Sequence, residues 1–120
     1  MSEPKIESIK DNDTLWVNLR ESEVSIHISS LIGKKFDEFI DLDIKRLAVD
    51  LSSVEFIDSS FLGTIVAAMK SAGDKDIDFV LYGLKSNVRT IFELTRLEKI
   101  VNIVTDRTAA EKFFKNESAK

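Results

Sequence analysis

The sequence predicts an α/β domain, a mixed β-sheet of about four to five strands with about four helices packed against it. Three observations carry that expectation. Residues 46–51 (RLAVDL) form a nearly continuous apolar run, the mark of a central strand covered on both faces. The stretch after it switches to helical spacing, with Leu62, Ile65, Val66 and Met69 at i, i+3, i+4 and i+7. From residue 29 onward strand-like and helix-like segments alternate, the order produced by crossover helices over parallel strand pairs.

Taken in chain order, residues 1–13 are polar, carry the only proline (Pro4), and read as a flexible segment with a possible first strand. Residues 14–19 alternate, with Leu15, Val17 and Leu19 on one face and Trp16 on the other, which predicts a strand. Val24, Ile26 and Ile28 alternate again and suggest a short extended stretch, with His27 pointing away from them. Ser29 or Ser30 is expected to cap a helix running to about Ile40, whose Ile32, Phe36, Phe39 and Ile40 repeat on one face. A second helix is expected to start near Ser59 or Ser60. Residues 78–82 (DFVLY) read as a strand closed by Gly83, and Val88, Ile91 and Phe92 mark a third helix. Residues 100–104 suggest an edge strand. A last helix starts at Asp106 or Thr108, with Thr108 and Glu111 at capping-box spacing. The expected organisation is one domain over residues 14–115, followed by a polar tail at 116–120.

Composition narrows the function. Of 120 residues, 43% are hydrophobic and 32% charged, as in ordinary soluble domains. The net charge of -4 argues against a nucleic-acid partner, which needs clustered Lys and Arg. With no cysteine, disulfides, thiolate metal sites and cysteine nucleophiles are excluded. The first ten residues lack the apolar core of a secretory signal, and no apolar run approaches the roughly 20 residues that span a bilayer. A cytoplasmic protein with no membrane association, no cofactor and no metal is the expectation.

Little in the chain resembles a catalytic centre. His27 is the only histidine, and neither G-x-S-x-G nor either of the glycine-rich phosphate-binding patterns is present. A hydrolase using Ser59 or Ser60 would lack a base. The strongest positive feature is Asp58-Ser59-Ser60, between a buried strand and an amphipathic helix. Two hydroxyls and a carboxylate then meet at a helix N-terminus, where backbone N–H groups are free. Asp and Ser are also the residues helices prefer as caps, so local pattern alone leaves a purely structural role open.

The run RLAVDLSSVEFIDSSFLGTIVAAMK resembles the core of the STAS domain, the fold of bacterial anti-sigma factor antagonists. The matching residues are Ala48-Val49-Asp50-Leu51 and Phe56-Ile57-Asp58-Ser59-Ser60. Residues 84–103 are similar to the family's following loop, helix and strand, with Asn87-Val88 ahead of the helix and Leu94-Thr95-Arg96-Leu97 at its end. The resemblance covers roughly the last two-thirds of the chain. It implies a non-enzymatic, protein-binding domain that sequesters an anti-sigma factor while unphosphorylated, and so regulates transcription indirectly. The implied partner is also a serine kinase of the ATP-binding, histidine-kinase-like fold. It would phosphorylate Ser59 (alternatively Ser60) and so be released, and a PP2C-type phosphatase would reset the cycle. Asp58, Ser59, Ser60, Phe61 and Thr64 are the expected partner-binding residues, on a monomer or weak dimer.

Two features depart from the family pattern. Phe61 stands where the family usually has glycine, and an exposed aromatic there would crowd or anchor the partner. Arg20-Glu21-Ser22-Glu23-Val24 replaces the usual Gly-x-Leu/Ile-Asp segment. Two other readings use the same fold class: a non-cycling STAS scaffold module of a stress-signalling complex, and a phospho-aspartate receiver with Asp50 as acceptor. The receiver also needs an acidic pair after the first strand, whereas Asp11 and Asp13 precede the strand at 14–19.

Overall fold

A computed structural model describes residues 3–118. Its main sheet has five strands in the order β1 (Ile6–Asp11), β2 (Thr14–Leu19), β4 (Arg46–Asp50), β6 (Asp78–Tyr82) and β7 (Ile103–Val104). β1 and β2 form an antiparallel hairpin across the two-residue turn Asn12-Asp13, and all other pairs are parallel. A second, two-stranded parallel sheet joins β3 (Glu23–Val24) to β5 (Phe56–Ile57). The helices are α1 (Ile26–Ile40), α2 (Ser59–Asp74), α3 (Ser86–Leu94) and α4 (Arg107–Ser118). The expected α/β class and mixed sheet are therefore present.

Alternation along each strand builds two cores. Leu15, Val17, Leu47, Val49, Phe79 and Leu81 face one way, into a cluster with Ile32 and Phe36 of α1, Ile65 of α2 and Phe92 of α3. Trp16, Ala48, Val80 and Tyr82 face the other way and meet Ala110 and Phe114 of α4. Strand β4 is buried on both faces because β2 and β6 flank it and helices cover each side. That is why its sequence shows no polar alternation. Of the two adjacent phenylalanines of α4, Phe114 is the deeper and Phe113 packs half-buried beside it.

Five local expectations are corrected. The extended stretch through Ile28 ends at Val24, because β5 offers β3 only two residues to pair with; Ile26 and Ile28 lie in the first turn of α1. The cap of α1 is Ser25, in extended conformation, and neither Ser29 nor Ser30. The Ser29 backbone N–H is already bonded within the helix, to the Ser25 carbonyl at 2.8 Å. In α2 the buried stripe is Phe61, Ile65, Ala68 and Ala72, one step round from the face expected, and Leu62, Val66 and Met69 flank it. Small side chains on that stripe leave no strong hydrophobic signal in the sequence. At the edge, β7 begins only at Ile103; Ile100 is exposed after the turn Leu97–Lys99. Asp106 caps α4 by accepting from the Ala109 N–H at 2.8 Å, while Glu111 pairs with Arg107 at 3.5 Å and forms no capping box with Thr108.

Gly83 ends β6 at φ +76°, a conformation that side chains disfavour. A Cβ there would fall 2.9 Å from Asp50 Oδ1 and 3.3 Å from Ser52 Cβ. Gly83→Ala is expected to destabilise the domain by about 1–3 kcal/mol, read from the denaturant midpoint at unchanged m-value.

Candidate functional site

The junction between β5 and α2 is pinned before the helix starts. The Asp58 backbone N–H donates to the Val24 carbonyl at 3.3 Å, extending the β3–β5 pairing by one bond. Asn87 of α3 donates through Nδ2 to the Glu55 carbonyl, and the Ser22 hydroxyl to the Glu55 carboxylate at 3.0 Å. Asp58 itself is extended (φ -117°, ψ -179°) and is the N-cap of α2.

Its carboxylate does two jobs with one oxygen. Asp58 Oδ1 accepts the Ser60 backbone N–H at 3.0 Å and also the Ser60 hydroxyl. The bond from the Ser60 side chain is the largest cause that holds the Asp58 carboxyl below its ordinary value. Backbone N–H groups of Ser60, Phe61 and Ile26 add to it, and partial desolvation opposes. The Ser60 oxygen also lies 3.1 Å from the hydroxyl of buried Ser29 in α1. A serine has one proton and a carboxylate can only accept, so Ser60 spends its proton on Asp58 and its oxygen is left for Ser29. One turn on, the Thr64 hydroxyl donates to the Ser29 carbonyl at 3.4 Å.

Ser59 differs from both. It is exposed on the first turn of α2, and its hydroxyl makes no hydrogen bond among the described residues. The structure thus brings Asp58, Ser59 and Ser60 together, and distinguishes the two serines that the sequence left as alternatives. Thr64 joins them only through the α1–α2 seam, where it is half-buried.

Phe61 is where expectation fails. It is 0% exposed and belongs to the main core, so it cannot crowd or anchor a partner. The cause is helical phase. With Asp58 as cap and Ser59 outward, the residue two places on turns inward beneath the sheet-facing stripe. The exposed large apolar groups near the junction are others, Phe56 at 61% and Ile26 at 73%. The strand-like alternation of Ile26 hides its exposure, and Phe56 carries no burial signal of its own in the sequence; the reading of Ser29 as a cap hides its part in the hydroxyl cluster.

Elsewhere, His27 is exposed on the first turn of α1. Asp50 accepts the Ser52 N–H at 2.9 Å. Asp11 and Asp13 lie at the start of β2, and parallel pairing of Asn18 with Asp50 puts Asp50 at the other end of the sheet. The acidic cluster of a receiver is therefore not assembled. No group of three or more His, Asp or Glu side chains fit to hold a metal occurs among the described residues, and no helix among them is long and apolar enough to cross a membrane.

This architecture, with a capped serine pair opening the helix after a short crossover strand, places the chain in the class of STAS domains. The STAS domain family profile matches residues 5–116, and the chain belongs to that family. It is 31% identical over 99 residues to the anti-sigma-B factor antagonist of Listeria monocytogenes, across 79% of this chain and 84% of that protein. A crystal structure of a Thermotoga maritima protein assigned as an anti-sigma factor antagonist superposes with a TM-score of 0.77 at 31% identity, covering 89% of this chain and 92% of that one. At the level of fold alone, the unphosphorylated form of the antagonist SpoIIAA matches at a TM-score of 0.76 and 18% identity, over 92% and 97% of the two chains. The phosphorylated form, from Bacillus, matches at 0.68 and 17%, over 91% and 99%.

Two outcomes test this account of the junction. Phe61→Ala is expected to cost about 3–5 kcal/mol of stability, as a core truncation does, where an exposed aromatic would cost little. Because the folded-state pKa of Asp58 is depressed, its contribution is present above the ordinary value of 3.8 and is lost as pH falls through the lowered one. Denaturation midpoints followed into acid should therefore converge for the parent and Asp58→Asn, with the parent more stable only on the neutral side.

Proposed function

We propose that this chain is an anti-sigma factor antagonist, acting in the cytoplasm as a protein-binding switch without catalytic activity of its own. In this reading the domain docks, through the junction around Asp58, Ser59 and Ser60, on an anti-sigma factor that is also an ATP-dependent serine kinase. While bound, the anti-sigma factor is kept from its sigma factor. Transfer of phosphate to Ser59 ends the complex, and a PP2C-type phosphatase restores the binding form. The observation that carries the choice of Ser59 is its exposed, unengaged hydroxyl beside a Ser60 already committed to Asp58. The 31% identical Listeria relative supports the partner class.

A phosphate here acts at the surface. It adds about -1.5 to -2 charge. The helix N-terminus favours a negative group by about 0.3–1 kcal/mol, and neighbouring Asp58 opposes it, so the fold itself gains or loses little. An interface is more sensitive. Two unit charges about 4 Å apart interact by about 4 kcal/mol at an effective dielectric of 20, and about 1.4 kcal/mol is tenfold in affinity. A facing carboxylate, or an apolar patch pressed on Phe56 and Ile26, would then reject the phosphorylated form.

Incubation with the cognate kinase and ATP should add one phosphate, located at Ser59 by fragmentation, absent in Ser59→Ala and retained in Ser60→Ala. In titrations against that kinase, Ser59→Ala should bind and Ser59→Asp should bind at least about tenfold more weakly. The thermal stability of Ser59→Asp should stay within about 1 kcal/mol of the parent. Equal affinities for the two variants would refute the switch, and no phosphate transfer would leave the scaffold reading in its place.

A further inference from the structure

On the sheet face away from α1 and α2, helix α4 covers only part of the surface. Beside it lies a cavity of about 280 Å³ lined by Glu7, Trp16, Asn18, Asp50, Tyr82 and Arg107, among others. Asn18, Asp50 and Tyr82 are register partners at the carboxyl ends of β2, β4 and β6, so the cavity opens at the end of a parallel sheet where α/β proteins bind ligands. None of these residues takes part in the serine junction.

The lining is rich in acceptors. Asn18 Oδ1 is buried and has no hydrogen-bond partner among the described residues, an arrangement that costs stability until a donor reaches it. Asp50 accepts one bond through Oδ1, from the Ser52 N–H, and is paired with no cation among the described residues. Glu7 at the rim is paired with Arg20 at 3.3 Å. Tyr82 is buried beside Asp50; burial first, and then that carboxylate, pushes its phenol above the ordinary value and keeps it protonated. The walls are aromatic, Trp16 and Tyr82 meeting edge to face with centroids 6.1 Å apart. One wall already carries a cation: the Arg107 guanidinium sits 4.0 Å over the Trp16 ring while its Nε pairs with Glu111.

We infer that this cavity is a binding site for a small organic cation bearing N–H donors, an amine or guanidine, held by Asp50 and Asn18 Oδ1 against the rings of Trp16 and Tyr82. An anion would meet the Asp50 carboxylate, which has no cation partner among the described residues, and a neutral apolar molecule would leave Asn18 Oδ1 unsatisfied. A cation with several N–H groups answers both, through charge-assisted bonds to the carboxylate.

Trp16 is the only tryptophan and lines this cavity, so its emission reports binding there. It also borders a second cavity with Asn12, Thr14 and Arg46, and the amide shifts tell the two apart. Agmatine and putrescine should each give a saturable change in the Trp16 emission, and 1,4-butanediol, of the same length as putrescine and uncharged, should give none. Backbone amide shifts in the parent protein should move for Asn18, Asp50 and Tyr82. Asp50→Asn, which keeps an oxygen for the Ser52 N–H, should weaken agmatine binding about tenfold or more. A flat titration with both amines, an equal response to the diol, amide shifts confined to another surface, or unchanged affinity in a folded Asp50→Asn would each overturn the assignment.

Discussion

One carboxylate oxygen sets the geometry of the whole junction between β5 and α2. By accepting both the backbone and the side chain of Ser60, Asp58 Oδ1 fixes where α2 begins. Once that origin is set, helical phase decides the rest. Ser59 is turned to solvent, Ser60 toward Ser29 of α1, and Phe61 into the core. Had the helix begun one residue later, each side chain would have rotated by about 100° and the exposed hydroxyl would belong to a different residue. The short β3–β5 ladder and the Asn87 amide hold the preceding segment still, so the cap does not have to position it as well.

Much of this architecture was legible in the sequence because it rests on strong periodic signals. The apolar run of β4, the alternation of β2 and the switch to helical spacing after Asp58 each reflect burial on a definite set of faces, and the structure bears them out. The Asp-Ser-Ser junction could be found by pattern, and family resemblance gave it a purpose. What could not be read was phase and pairing length. Ile26 and Ile28 carry strand-like alternation, but a strand exists only as long as its partner, and β5 is two residues long. The stripe of α2 contains two alanines, whose burial leaves no bulky marker at those positions. Phe61 followed from the same error, because its depth depends on which residue is the cap. In the hydroxyl cluster, Ser29 is 31 residues from Ser60, and only the folded contact reveals that the two belong together.

The two cores are unequal partners. The larger takes in most of three helices and supplies the cooperative mass of the domain, whereas the smaller is a stack of Trp16, Tyr82 and Phe114 under a single helix. Leaving part of a sheet face open would ordinarily expose apolar area. Here Arg107 lies across the indole and Asp50, Asn18 and Glu7 ring the opening, so the gap is polar enough to remain in contact with water.

Parallel pairing has one more effect. It sends the crossover out from the carboxyl end of β4, so α2 starts at that same end, with Asp50 close behind it in the chain. Serine and cavity are therefore neighbours by pole and strangers by side, separated by a single layer of backbone. A macromolecule approaching from the helical flank would leave the indole flank unshadowed, and the domain could carry two kinds of visitor at once, one large and one small.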